Sequence, residues 1–169
     1  MRTLAIVGLL AILAALFVSV FAFGGYYDVS AQQEDSAPVA WALVKVRSKA
    51  IQRRAVDIAP ADFQASTRVQ AGARAFSTRG CVTCHGGPGA DWAKFAEGLN
   101  PGPPDLKDVA NDLTAGEVFW VVKHGIRMTG MPSFANAGVT DDEIWSIAAF
   151  VKALPKTSEA DYKTWTSTP

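Results

Sequence analysis

The sequence is poor in the residues that build disulfides and metal sites. It has only two cysteines and two histidines among 169 residues. A single disulfide would use both thiols, which excludes a disulfide-rich scaffold. Lys plus Arg equal Asp plus Glu at 16 each, so no overall excess of positive charge indicates a nucleic-acid partner. The sequence also shows no strand pattern and no internal repeat, and we therefore predict an all-α protein.

One long apolar run is present, at the N-terminus. Residues 4–23 carry no charge, and about 20 such residues suffice for a membrane-spanning helix. Arg2 precedes the run and the next basic residue is Lys45, which favours export of everything after the run. The alternative is a leader cleaved after Val29-Ser30-Ala31, a small-residue site. The run exceeds the usual core of a leader, so we predict a retained anchor over residues 1–25 in the cytoplasmic membrane, with the remainder in the periplasm.

Residues 26–60 are interpreted as a linker followed by a basic helix. The helix is expected from about Pro38 to Ala55, with Ser36 as its cap and an apolar stripe of Trp41, Val44 and Ile51. Five basic residues and no acidic residue lie between positions 45 and 54. They would either contact an acidic partner or anionic lipid, or form a solvated helix face; we slightly favour the solvated face.

Residues 61–169 are predicted to form one small domain. A helix is expected over 66–78, with Gly72 and Phe76 four residues apart on one face. Residues 86–113 are rich in Gly, Pro, Asn and Asp and are interpreted mostly as loop. Because that is long for a structureless segment, we expect a ligand or cofactor to organise it.

Two capping boxes predict two more helices. Thr114 and Glu117 open one that Gly125 ends, and Thr140 and Glu143 open a helix that we expect to be the last, ending before Pro155. The apolar positions of that final helix have helical spacing and predict its buried face: Ile144, Ile147, Ala148, Val151 and Leu154.

Both cysteines lie in one motif, Cys81-Val82-Thr83-Cys84-His85. This is the attachment motif for haem c. Two thiols three positions apart reach the two vinyl groups of one porphyrin, and the adjacent histidine is directed at the iron. A redox dithiol would not need His85, and a structural zinc site would need two further ligands where the rest of the chain offers only His124. The motif therefore predicts one covalent haem with His85 as an iron ligand.

A second iron ligand on the other haem face is expected for an electron carrier. The candidates are His124, Met128 and Met131, which all lie in the segment from His124 to Phe134. Both methionines lie in a segment rich in Gly and Pro rather than on an apolar helical stripe, which favours a ligand over core packing. Residue spacing alone leaves the choice among the three open.

The chain closely resembles the class I cytochromes c from about residue 66 to residue 155. Four features carry the resemblance in the family's order: the helix with Gly72 and Phe76, the Cys-His motif, Pro104-Asp105-Leu106, and Gly130-Met131-Pro132 before a helix with Trp145 and Phe150. The segment before the domain and the run from Phe119 to Pro132 further resemble membrane-anchored bacterial monohaem cytochromes.

The resemblance implies a small cytochrome c fold around one covalent haem c. Cys81 and Cys84 would hold the haem, His85 would be the proximal ligand and Met131 the distal ligand. Pro104 would accept a hydrogen bond from the His85 ring through its carbonyl, and Leu106 would pack near the haem. Haem propionates would meet Trp120 and Arg127, unless Trp120 packs in the core and Arg127 is solvated. The first and last helices would cross near Gly72 and Phe150.

The function predicted is single-electron transfer without a catalytic residue or a small-molecule substrate. Partner proteins would be a dehydrogenase, a quinol-oxidising complex or a terminal oxidase. The alternatives are a haem peroxidase and a gas or redox sensor, which both need an iron position that is open or readily opened. The pair of nearby methionines argues against a peroxidase.

Overall fold

The computed structural model describes residues 2–167, which divide into two compact units between Glu34 and Asp35. In the first unit, helix α1 runs over Arg2–Phe23 and has a mean hydropathy of 2.9 in its most apolar window. It matches the predicted apolar run and is long enough to cross a membrane. A cleaved leader can also form an apolar helix near the N-terminus, so α1 is compatible with both alternatives.

The second unit is helical, as predicted. Between residues 35 and 167 the only ladder pairing is an isolated bridge between Gly87 and Ala90. The helices are α2 (Ala37–Arg54), α3 (Ser66–Thr78), α4 (Cys81–His85), α5 (Leu106–Val109), α6 (Ala115–His124), α7 (Asp141–Ala153) and α8 (Glu159–Ser167), with short 3₁₀ helices at Lys94–Gly98 and Leu154–Lys156.

Helices α3 and α7 form the centre of the domain, in the most extensive helix pair of the described chain. They meet at Gly72, where an added Cβ would lie 1.9 Å from the Ser146 carbonyl oxygen and 2.9 Å from Phe150 Cβ. Only a residue without a side chain permits this approach. Phe76 packs edge-on against Phe150, with ring centroids 5.3 Å apart. The predicted crossing of the first and last family helices is therefore confirmed.

The two predicted helix starts differ in detail. At α6 the capping box is complete, because Thr114 and Glu117 each bond to the other's backbone. At α7 the Thr140 hydroxyl accepts from the Glu143 backbone at 3.4 Å. The Glu143 carboxylate instead accepts two bonds from Arg79, at 2.8 and 3.0 Å. The charged Arg79 guanidinium is the stronger donor, so it takes the Glu143 carboxylate that a complete capping box would direct to the Thr140 backbone.

The expectation that α7 is the last helix is wrong. Pro155 does end α7, and a 3₁₀ helix follows, but α8 then begins after Ser158. Tyr162 of α8 is buried and stacks on Phe150, with ring centroids 5.5 Å apart. The start signal was present: the Ser158 hydroxyl accepts from the Asp161 backbone, as an N-terminal cap does. Residues 86–113 are mostly loop, as predicted, and include only the short helix α5 and the 3₁₀ helix Lys94–Gly98.

Helix α2 lies where predicted but does not bury the predicted stripe. Ile51 is buried, whereas Trp41 and Val44 are 65% and 45% exposed. Ser36 precedes the helix without capping it through its side chain. The C-terminal part of α2 packs on α6, and the following chain is so close that a Cβ on Gly116 would lie 2.8 Å from the Asp57 carbonyl oxygen. The burial of α2 thus increases toward its C-terminal half, whereas residues 41–46 are exposed.

Candidate haem site

A cavity of about 270 Å³ collects most of the predicted site residues. Its lining is largely apolar and comes from four separate segments of the chain, three of which hold predicted site residues. The first is the Cys-His motif, which contributes Cys81, Cys84 and His85. The second is the Pro-rich loop that ends at Pro104, and the third is the loop that carries Met131. The fold therefore brings together in space what the sequence holds up to 50 residues apart.

The Cys-His motif forms α4, a helix of little more than one turn. It lies between Gly80 and Gly86, which have φ values of 80° and 65°, a backbone region that favours glycine. One helical turn places Cys81 and Cys84 on neighbouring positions of one face. Burial raises the pKa of the Cys81 thiol to about 12. A nucleophilic redox dithiol has a lowered thiol pKa, so the environment of Cys81 disfavours that alternative.

The His85 ring is oriented by one hydrogen bond, from Nδ1 to the Pro104 carbonyl oxygen at 3.0 Å. A carbonyl can only accept, so Nδ1 carries the proton and Nε2 keeps its lone pair. Burial is the main cause of a lowered His85 pKa, against the opposing effect of the Pro104 carbonyl. The neutral ring with a free Nε2 is the form that binds a metal.

Met131 is held by a tight loop after α6. Its amide donates to the Thr129 hydroxyl at 3.1 Å, and its carbonyl accepts from the Ile126 amide at 3.1 Å. Gly125 makes the turn possible: its φ is 67°, and an added Cβ would lie 2.6 Å from the backbone of Pro132. The loop thus fixes the backbone of Met131 beside the cavity, where its side chain forms part of the lining.

The competing candidates for a second ligand lie elsewhere. Met128 is 91% exposed and has a φ of 58°, so it points into solvent from a strained position. His124 is exposed at the end of α6 and packs beside Trp120, with ring centroids 4.9 Å apart. Neither residue lines the cavity.

Three other expected neighbours of the haem are also absent from the cavity lining. Trp120 is half-buried beside His124, and Arg127 is exposed. Leu106 lines a second, smaller cavity that shares His85 with the first. It therefore lies beside the His85 segment rather than in the space that Met131 faces.

Two arginines that the sequence did not single out for the site do line the cavity, Arg47 and Arg79. Arg79 directly precedes the Gly80 turn, so its nearness follows from the motif. Arg47 belongs to α2, and no local signal relates it to the other lining residues, the nearest of which in sequence, Arg79, is 32 positions away. Its place depends on how α2 packs on α6.

The donors around the cavity suit haem c. Two thiols lie on one short helix, an imidazole with a free nitrogen follows them, and a thioether lines the same apolar space. An iron porphyrin with covalent attachment uses this set. Among residues 2–167 no group of three or more His, Cys, Asp or Glu side chains forms an alternative metal site.

An all-α domain built around this motif defines the class of the protein, which is a c-type cytochrome. More particularly, the family model described as "Cytochrome C oxidase, cbb3-type, subunit III" matches residues 67–151, half of the chain. The chain belongs to this family and carries covalent haem c for electron transfer. Neither a curated protein nor a solved structure matches the chain significantly.

Proposed function

We propose that the protein is a membrane-anchored carrier of single electrons whose haem iron is bound by His85 and Met131. Thioether bonds from Cys81 and Cys84, the chain's only cysteines, would attach the haem. The observation that carries the proposal is that His85 and Met131 line one cavity while His85 Nδ1 is engaged by Pro104.

When bound, haem supplies an iron that changes oxidation state, which no side chain of this cavity can do. The chain's own contribution is positioning and exclusion of water. The Pro104 carbonyl orients the His85 ring, and the bonds of Ile126 and Thr129 to the Met131 backbone restrict that loop. A restricted pair of ligands changes little when one electron arrives or leaves.

The same pair favours a carrier over the two alternatives. A peroxidase or a gas sensor needs an iron position that its substrate can occupy, whereas a protein ligand on each side leaves none. The lining offers no second histidine, since His124 is exposed outside the cavity. The cavity therefore lacks an imidazole that could move a proton to or from a substrate in the way a peroxidase requires.

Membrane attachment is supported by α1, an uncharged apolar helix of the spanning length. We propose that α1 anchors the chain and that the haem domain lies on the periplasmic side. Arg2 precedes the span, and no Lys or Arg lies between the span and Lys45. The family's description names an oxidase subunit. Among the predicted partners, a terminal oxidase is thus better supported than a dehydrogenase or a quinol-oxidising complex.

Replacing each of the two methionines with alanine tests the ligand assignment. Met131→Ala in the purified haem protein should abolish the weak far-red absorption band of sulfur-ligated ferric haem and lower the reduction potential, because thioether ligation raises it. Met128→Ala, the matched control, should leave both nearly unchanged, since that side chain is 91% exposed. Absorption spectra and a redox titration measure both effects.

The opposite pattern, with only Met128→Ala losing the band, would reject Met131. If His124→Ala alone changed the spectrum, the iron would have two histidine ligands. In either case the covalent haem would remain, so the ligand assignment can fail without the family assignment.

A further inference from the structure

Arg47 is the one cavity residue that lies outside both the predicted haem domain and the family match. It belongs to α2, whereas all other lining residues lie between positions 79 and 134. The side chain is half-buried, although the preceding six residues of α2 are all exposed. Arg47 therefore begins the part of α2 that the domain covers, since Ser48 and Ala50 are also half-buried and Ile51 is buried.

Helix geometry explains why Arg47 faces the domain. Arg47 and Ile51 are four residues apart, so they lie on one face of α2, about 6 Å apart along its axis. Ile51 is buried on the domain. The C-terminal end of α2 is held near α6 by the close approach of Asp57 to Gly116. With that end fixed, the next turn of the same face is directed at the cavity.

The two cavity arginines differ in their charge partners. Arg79 forms a two-point ion pair with Glu143, with its Nε 2.8 Å from Oε1. Between residues 2 and 167, no carboxylate lies within ion-pair distance of Arg47. A half-buried guanidinium beside a largely apolar cavity loses hydration, and an anion in the cavity would compensate for that loss.

We propose that Arg47 binds a propionate carboxylate of the haem, which makes α2 part of the haem site. The inference rests on the proposed haem position between His85 and Met131. Haem c has two propionates, and the planar guanidinium binds a carboxylate through two parallel hydrogen bonds. A fixed positive charge there disfavours the more positive ferric state, so Arg47 raises the reduction potential. This differs from the expected solvated basic face, which holds for the exposed Arg53.

The test compares Arg47→Gln with Arg53→Gln in the full-length haem protein. Both variants remove one positive charge from α2, but Arg53 is exposed and lies outside the cavity. We expect Arg47→Gln to lower the reduction potential and to shift the propionate bending vibration in the resonance Raman spectrum. Arg53→Gln should change neither, and Arg47→Lys should restore the potential more than the vibration, because an ammonium keeps the charge without the two-point geometry.

Equal behaviour of Arg47→Gln and Arg53→Gln would overturn the proposal. So would a lowered potential with an unchanged propionate vibration, since that result indicates charge acting without contact. The far-red band of sulfur-ligated haem should persist in all three variants. Loss of that band would count against His85 and Met131 as the ligand pair. Because the band and the propionate vibration are separate signals, failure of the proposed function and failure of the Arg47 proposal can be distinguished.

Discussion

At Gly72 one missing side chain determines how two helices pack. A Cβ there would lie 1.9 Å from the Ser146 carbonyl oxygen and 2.5 Å from its carbonyl carbon. Both are backbone atoms of α7, which no rotamer change can move. The α3 and α7 crossing is the centre of the domain, so the strain of a larger residue would be felt throughout the core.

Gly72→Ala should therefore destabilise the domain by about 3 kcal/mol, the upper part of the usual range for overpacking. Denaturant unfolding of the haem protein measures this. Gly98→Ala is the matched control, because no heavy atom lies within 4 Å of its added Cβ and its φ is not positive. It should stay within about 0.5 kcal/mol of the parent. Equal stability of the two variants would contradict the close crossing.

The site residues show how far single positions can be predicted. Cys81, Cys84 and His85 are adjacent in the chain, so their spacing alone predicts a shared chemistry. Choosing between Met128 and Met131 needed more, because both lie in one Gly- and Pro-containing loop. In the structure Met131 lines the cavity whereas Met128 is 91% exposed, and that difference depends on where the fold places the loop rather than on its composition.

Among the elements, α3, α6 and α7 were predictable because each has its own local signal. Apolar residues at helical spacing specify the buried face of all three helices, and a Thr cap marks the start of α6 and of α7. Helix α8 was missed because its sequence signal is weaker than those of α6 and α7. Pro155 indicated that helical structure ends there, and α8 has one buried residue, Tyr162. The predicted stripe on α2 was wrong for Trp41 and Val44, because no local pattern indicates which part of α2 a helix distant in sequence covers.

Tyr162 should contribute strongly to the stability of the domain, although it lies beyond the family match. Its ring stacks on Phe150 and lies 3.4 Å from the position of a Gly87 Cβ, next to the Cys-His motif. Tyr162→Ala should cost about 3 kcal/mol, as the removal of a buried aromatic ring does. Lys163→Ala, on the exposed side of α8, should change stability by less than about 0.5 kcal/mol. Thermal unfolding compares the two, and a similar midpoint for both would show that α8 is dispensable.

The whole molecule has an uneven distribution of charge. From Asp57 onward there are 10 basic and 13 acidic residues, while Lys45 to Arg54 holds five basic residues and no acid. The basic segment thus lies between the apolar α1 and an acidic haem domain in the sequence. This order suits a chain that is attached to a membrane at one end and exposes a redox domain at the other.

Retention of α1 can be read from the intact mass of the protein purified from membranes. We expect the mass of the uncleaved chain plus one haem, because the apolar run exceeds the usual length of a leader core. A mass that corresponds to a chain starting at Gln32 would show cleavage after Ala31 and a carrier without an anchor. The haem assignment would be unaffected by that outcome.

The central claim is that the iron has a protein ligand on both sides and serves only to carry electrons. Addition of carbon monoxide to the reduced full-length protein tests this most directly, with Met131→Ala as the positive control. We predict that the absorption spectrum of the parent protein stays unchanged, because His85 and Met131 leave no free position, while the variant binds the gas. Complete conversion of the parent protein to the carbon monoxide complex would contradict the account and favour a peroxidase or a gas sensor.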